Sequence, residues 1–108
     1  MKNLELDHFL NEVPKGWHNL VKNTHEKIVQ VDPEYRIRQI KEKFGTLRYY
    51  YEPSRSTATI EIDRIIKVAE IVSSVVCQDC GSLDGKMTKD NHWYRTLCDD
   101  CFKQRNSK

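Results

Sequence analysis

The spacing of apolar residues predicts two helices at the start of the chain. Residues 4–13 hold five apolar positions and predict a short helix that Pro14 stops. Between residues 15 and 31, side chains suited to a core recur every three or four positions, which is typical of an amphipathic helix ending at Asp32-Pro33. Trp17 is expected to fix this helix on the core, and His18 and His25 are expected at its surface. The stripe consists of Trp17, Leu20, Val21, Thr24, Ile28 and Val31.

The period changes to two between residues 35 and 52. Two runs rich in aromatic and β-branched residues surround a glycine-containing turn, which predicts a β-hairpin. In the first run, Tyr35, Ile37 and Gln39 alternate with Arg36, Arg38 and Ile40. In the second run, Leu47, Tyr49 and Tyr51 alternate with Thr46, Arg48 and Tyr50. We expect Leu47, Tyr49 and Tyr51 to face the core and Tyr50 to point away from it.

Helical spacing returns at residues 60–76, where Thr59 and Asp63 are both candidate N-caps. The sequence therefore predicts an α+β fold: helix, β-hairpin and helix, followed by a C-terminal cysteine-rich finger. No linker separates Val76 from Cys77, so residues 1–108 are expected to form a single domain. In that domain, residues 1–76 form the α+β part and residues 77–108 an integrated finger. The predicted apolar face consists of Ile62, Ile65, Ile66, Ala69, Val72 and Val76.

The strongest chemical signal is the cysteine spacing, which is Cys-x2-Cys, seventeen residues, then Cys-x2-Cys. A two-residue gap lets both sulfurs of a pair reach one ion, and four thiolates complete the tetrahedron of a structural zinc site. Unrelated thiols fit less well, because no cysteine is left over and both pairs have ligand spacing. A disulfide framework fits less well because thiols stay reduced in the expected compartment. His92 is not needed as a ligand, and Trp93 is expected to cover the zinc core. The predicted ligands of one structural Zn²⁺ are Cys77, Cys80, Cys98 and Cys101.

The N-terminal residues contain no apolar run of signal-peptide length, and no stretch approaches the length of a membrane span. The expected location is the cytoplasm, where thiols stay reduced and are available to a metal.

The finger resembles the treble-clef class and, in its spacing, the GATA-type finger. Cys77-Gln-Asp-Cys80-Gly81, the seventeen-residue gap and Leu97-Cys98-Asp-Asp-Cys101 carry this resemblance. It implies zinc binding and a knuckle, hairpin and helix. The Leu-Trp-Arg-Arg segment of the GATA pattern is absent from the gap, so DNA reading of that kind is not implied.

A longer resemblance covers roughly residues 16–102. The segment Gln39-Ile-Lys-Glu-Lys-Phe-Gly-Thr-Leu-Arg-Tyr-Tyr, then Ala69-Glu70 with Ser73-Ser74, then Trp93-Tyr-Arg-Thr-Leu-Cys98 carry it. These segments look like a group of small bacterial and phage proteins without an assigned activity. The resemblance implies a single integrated domain and a microbial or viral origin.

Positive charge is concentrated in the predicted hairpin. The formal net charge is only +2, yet residues 34–55 carry six Lys or Arg against three Asp or Glu. Cations interleaved with tyrosines suit the phosphates and bases of a nucleic acid, and they suit an acidic protein surface equally well. A solvated face of a half-buried sheet is the other interpretation. The candidate partner-binding residues are Arg36, Arg38, Lys43, Arg48 and Tyr50.

Catalysis has little support in the sequence. A closed four-cysteine site has no position for an activated water, and its thiolates are not free nucleophiles. No glycine-rich phosphate loop, nucleophile elbow or His-Glu-x-x-His motif is present. We therefore expect a non-enzymatic, zinc-stabilised binding module that modulates a host protein as an adaptor or inhibitor. The alternative is a nucleic-acid-binding regulator; a small enzyme comes third.

Overall fold

The computed structural model describes residues 2–90 and 93–106, and it has the predicted α+β order of elements. Helix, β-hairpin and helix are followed by a second hairpin and a last helix. The helices are α1 (Lys2–Leu10), α2 (His18–Val31), α3 (Thr59–Ser73) and α4 (Asp99–Asn106), with short 3-10 turns at Lys15–Trp17 and Ser56–Ala58. The strands are β1 (Arg36–Lys43), β2 (Thr46–Glu52), β3 (Lys86–Asp90) and β4 (Trp93–Leu97).

The main core lies between α1, α2 and α3 and one face of the β1–β2 hairpin. Trp17 is fully buried at its centre, as the sequence predicts, and its indole Nε1 donates a hydrogen bond of 2.9 Å to the Val76 carbonyl. The tryptophan therefore joins the start of α2 to the segment that follows α3, immediately before the first cysteine.

The β1–β2 hairpin closes through a two-residue turn, Phe44-Gly45, whose φ angles are 54° and 83°. Two successive positive φ angles are typical of the type I′ turn, which matches the twist of the strands. Glycine adopts this left-handed backbone freely, whereas a bulky side chain such as that of Phe44 adopts it at a cost.

The strict alternation predicted for β1 is wrong beyond Ile37. A β-bulge interrupts the register between Ile37 and Gln39. The extra residue, Arg38, shifts the later side chains by one position. Consequently Ile40 is fully buried and Gln39 is exposed, the reverse of what simple alternation predicts. In β2 the alternation holds, with Leu47 and Tyr49 buried and Tyr50 exposed.

The predicted surface position of His25 is also wrong, since its side chain is buried. Its Nδ1 lies 2.6 Å from the Tyr35 hydroxyl, which lies 2.7 Å from the Tyr49 hydroxyl. This chain of polar contacts offsets the cost of burying an imidazole. Burial also raises the pKa of Tyr49 above its usual value, although the hydrogen bond with Tyr35 opposes the effect.

Neither candidate N-cap of α3 has that role. The helix begins at Thr59, and Ala58 precedes it without a side-chain capping bond. Asp63 instead accepts a hydrogen bond of 2.6 Å from the Tyr51 hydroxyl. Among the residues described, no helix is both long enough and apolar enough to span a bilayer.

Candidate metal centre

The first ligand pair lies in a tight turn directly after α3. The Gly81 amide donates a 2.9 Å hydrogen bond to the Cys77 carbonyl, and the Cys77 amide donates a 2.8 Å bond to the Ser82 carbonyl. These two bonds fold the chain back on itself, so Cys80 lies beside Cys77.

The second pair lies where β4 gives way to α4. Cys98 follows the last residue of β4, and Cys101 lies in the first turn of α4, as the sequence predicts. The Phe102 amide donates a 3.0 Å hydrogen bond to the Cys98 carbonyl. Residues three apart on a helical turn lie on the same side, so both sulfurs point toward the first pair.

The four sulfurs fit a single metal ion. The Sγ atoms of Cys77, Cys80, Cys98 and Cys101 all lie within 4.8 Å of one another. Those of Cys80 and Cys98 are 3.7 Å apart. Zinc–sulfur bonds of about 2.3 Å place tetrahedral thiolates about 3.8 Å apart, whereas a disulfide needs about 2.05 Å. The donor set and its spacing therefore favour metal ligation over cross-linking.

The electrostatics of the cluster also favour a bound metal ion. Burial raises the pKa of the Cys101 thiol, and the sulfurs of Cys98, Cys77 and Cys80 raise it further. Hydrogen bonds with Ser82 lower the pKa of Cys80. Several thiolates so close together repel one another, and a divalent cation at their centre compensates for that repulsion.

Two polar residues that the cysteine spacing does not predict hold the ligand turn against β4. The buried Gln78 accepts a 2.6 Å hydrogen bond from the Thr96 amide through its side-chain oxygen Oε1. The backbone amide of Gln78 donates a 2.8 Å hydrogen bond to the Thr96 carbonyl. This pair of bonds positions the Cys77–Cys80 turn beside the strand that leads to Cys98.

A bidentate ion pair connects α4 to the same turn. Arg105 donates from Nε to Asp79 Oδ2 at 2.7 Å and from its terminal nitrogen to Oδ1 at 2.6 Å. These contacts raise the pKa of Arg105. Asp79 lies between the first two ligands and Arg105 lies one helical turn beyond the last, so the pair joins the two ligand segments.

The finger also bonds to the α+β part. The Gly16 amide donates a 2.8 Å hydrogen bond to the Gln78 carbonyl, and the Thr96 hydroxyl donates a 2.7 Å bond to the Gly45 carbonyl. A Cβ at Gly16 would lie 2.1 Å from the Cys77 carbonyl oxygen, so a side chain has no room there. Gly16 therefore permits the ligand turn to approach the start of α2.

The prediction that Trp93 covers the metal centre is wrong, because its side chain is 57% exposed. It lies four residues before Leu97, about 13 Å away along an extended strand. Leu97, which is buried, and Phe102, which is partly buried, pack beside the cysteines instead. His92 lies outside the described residues.

The predicted partner-binding residues share the outer face of the β1–β2 hairpin, opposite the core. Cross-strand pairing places Arg36 with Glu52, Gln39 with Tyr50 and Lys41 with Arg48 on this face. Arg38, at the bulge, makes an exposed ion pair of 3.3 Å with Glu52. The structure brings these five residues together; their role as a contact surface stays a prediction. The set is Arg36, Arg38, Lys43, Arg48 and Tyr50.

Comparison with known proteins adds no relative. No family model matches the chain, and no curated protein or solved structure matches it at a significant level. The resemblance to small bacterial and phage proteins therefore has no independent support.

Proposed function

We propose that this protein is a non-catalytic binding module stabilised by one zinc ion. The observation that carries this proposal is the cluster of four sulfurs within 4.8 Å, built by a turn, a hairpin and a helix. Zinc is the metal we propose, because four thiolates in tetrahedral spacing suit it. The order of elements supports a treble-clef finger, and reduced thiols suit the cytoplasm of a bacterial cell or of a phage host.

An enzymatic role is not part of the proposal. Four protein ligands fill the tetrahedral positions around zinc, so no position is left for an activated water or a substrate. The same four thiolates are unavailable as nucleophiles when they hold the metal.

The contact surface we propose is the outer face of the β1–β2 hairpin. Five cations and one carboxylate lie on it: Arg36, Arg38, Lys41, Lys43 and Arg48 against Glu52. Clustered charge of one sign attracts a partner of the opposite sign and accelerates its association. The natural partner of this face is therefore an acidic macromolecule.

A second surface favours a protein partner, as an adaptor or inhibitor of a host protein would need. Ile60, Val68, Ile71 and Val75 are 75%, 52%, 61% and 45% exposed on the outer side of α3 and the turn after it. Exposed apolar side chains at helical spacing suit docking against another protein.

The charge proposal is tested on immobilised heparin, a polyanion that stands in for an acidic partner. The double change Arg38→Glu and Arg48→Glu should move elution to a clearly lower salt concentration. Its free energy of unfolding should change by only about 0.5 kcal/mol, because the side chains lie on the solvent side of the sheet.

The matched control is the double change Arg64→Glu and Lys67→Glu on α3, which alters net charge equally on two exposed residues away from the hairpin. It should elute close to the wild-type protein. Equal effects of the two double variants would show that net charge alone governs retention, and the hairpin face would lose its proposed role.

A further inference from the structure

Three exposed rings and three lysines form a continuous strip that crosses from the first hairpin to the second. Lys41 Nζ lies 6.0 Å from the Tyr50 ring centroid, and Lys43 Nζ lies 5.9 Å from that of Phe44. The Phe44 and Tyr94 centroids are 6.2 Å apart, and Lys89 Nζ lies 5.6 Å from the Tyr94 ring. We call Tyr50, Lys41, Lys43, Phe44, Tyr94 and Lys89 the ring–lysine strip.

The three rings of the strip contribute little to the stability of the fold. Phe44, Tyr50 and Tyr94 are 64%, 46% and 36% exposed, so their burial contributes little to the core. Phe44 also has a φ of 54°, a backbone conformation that is costly for a bulky residue. An unfavourable conformation that presents an apolar ring to solvent indicates a role in binding.

The strip is long enough for an extended ligand. Tyr50 lies opposite Gln39 in the first hairpin, and Phe44 follows Gln39 by five residues. At the rise of an extended strand, Tyr50 and Phe44 are therefore about 17 Å apart. Beyond Phe44, the contact between its ring and the Tyr94 ring extends the strip to the second hairpin. Arg48 lies on the same outer face opposite Lys41, so cations line the path between the rings.

We propose that the ring–lysine strip binds single-stranded nucleic acid, with bases stacked on its rings and phosphates beside its lysines. This inference rests on the proposed contact surface and names its partner. Base stacking on aromatic side chains tolerates any sequence, because every base has a π-face. Duplex bases are already stacked on one another and offer no free face to a ring. An acidic protein would use the lysines but would leave the rings without a comparable partner.

The test measures fluorescence anisotropy of labelled single strands of about 12 thymidines or uridines, a length typical of such sites. A duplex of equal length is the comparison. We expect single strands to bind more tightly than the duplex, with affinity that falls as salt rises. Parallel DNA and RNA titrations distinguish the two sugar backbones.

The decisive variant is Phe44→Asn. Asparagine suits the left-handed position before Gly45, so the turn should keep or gain stability. Removal of the ring should weaken single-strand binding about tenfold, as expected for loss of one stacked base. A purely structural residue would not combine an unchanged or higher melting temperature with weaker binding. Tyr50→Ala should weaken binding to a similar extent.

Trp93→Ala is the matched control. Trp93 is an exposed ring with Arg95 at 5.6 Å, but it adjoins Tyr94 in β4 and points to the opposite face of that hairpin. Its loss should leave binding unchanged.

Equal affinity for single strands and duplex, or no loss of binding in Phe44→Asn and Tyr50→Ala, would overturn the inference. Retention on heparin without binding to either nucleic acid would also overturn it. In that case the hairpin face would remain a contact surface, and an acidic protein would become its partner.

Discussion

The α+β part and the finger are stabilised in different ways. Among the described residues up to 76, sixteen buried hydrophobic residues from α1, α2, α3, the first hairpin and the segments that adjoin them form one core. Among the described residues beyond 76, the second cluster contains three buried members, of which Cys77 and Cys98 are candidate metal ligands and Leu97 is aliphatic. Burial of apolar surface can stabilise the first region, whereas the second buries little of it, so we expect its stability to depend on the proposed ion.

The contrast matters because the two regions share hydrogen bonds. Trp17 Nε1 donates to the Val76 carbonyl, and the Gly16 amide donates to the Gln78 carbonyl. The Gly85 amide donates a 2.9 Å hydrogen bond to the Val75 carbonyl. The finger therefore lies directly against residues that close the apolar core. From the predicted single domain we expect loss of the proposed ion to destabilise both regions.

The largest expected effect is that of metal removal. Purified protein should contain close to one zinc per chain, and a chelator should lower the melting temperature of the whole chain in a single transition. Structural zinc contributes on the order of 10 kcal/mol to folding of small fingers. Two transitions, with one of them insensitive to the chelator, would show that residues 1–76 fold independently.

Two variants separate metal loss from simple destabilisation. Cys98→Ser should lose zinc and unfold at least the finger, which amide hydrogen exchange of residues 93–106 would detect. Ile28→Ala removes a fully buried side chain from the other core and should cost about 2–5 kcal/mol. That variant should keep its zinc, since Ile28 belongs to the apolar core and not to the cysteine cluster.

An intermediate effect is expected from Gly16→Ala at the contact between the two regions. The added methyl group would meet the Cys77 and Gln78 backbones at 2.1–2.7 Å, so the chains must separate. We expect a loss of about 1–3 kcal/mol, typical of overpacking, together with faster release of zinc to a chelator. The exposed neighbour Asn19 supplies the control, since Asn19→Ala should change neither quantity. Unaltered zinc release in Gly16→Ala would show that the regions are not coupled there.

Periodicity was sufficient to predict α1, α2, α3 and the first hairpin, because each depends on which residues face one core. The cysteine spacing likewise predicts the ligand set, since two residues between sulfurs satisfy a local geometric requirement. Both kinds of signal are contained in short segments, so no knowledge of tertiary contacts is needed to recognise them.

The errors arose where distant residues decide the outcome. His25 can be buried because the Tyr35 hydroxyl forms a hydrogen bond with its imidazole. Ile40 faces the core because a bulge at Arg38 shifts the register. The Arg105–Asp79 ion pair joins residues far apart in the sequence that only the folded finger brings together. Charge and polarity alone indicate neither these partners nor the exposure of Trp93.

The smallest expected effect lies in the α+β part and concerns alkaline pH. Burial together with the hydrogen bond and the charge of Asp63 raises the pKa of Tyr51 to about 12. An unfolded tyrosine has a pKa of about 10. The folded state therefore holds the proton more tightly, and this contribution to stability is complete below pH 10 and is lost as pH rises toward 12.

Tyr51→Phe isolates that contribution, because phenylalanine keeps the ring and removes the ionisable hydroxyl. Below pH 10 the wild-type protein should be more stable by about 1 kcal/mol, the usual net worth of a hydrogen bond. Above pH 10 the difference should shrink, by at most about 1.4 kcal/mol per pH unit. Urea unfolding of both proteins at a series of pH values measures it, and the comparison cancels the titration of lysines common to both. A difference that stays constant from pH 8 to pH 11 would contradict the argument. Because the four cysteines are the same in the two proteins, any change in the difference belongs to the region whose core is apolar.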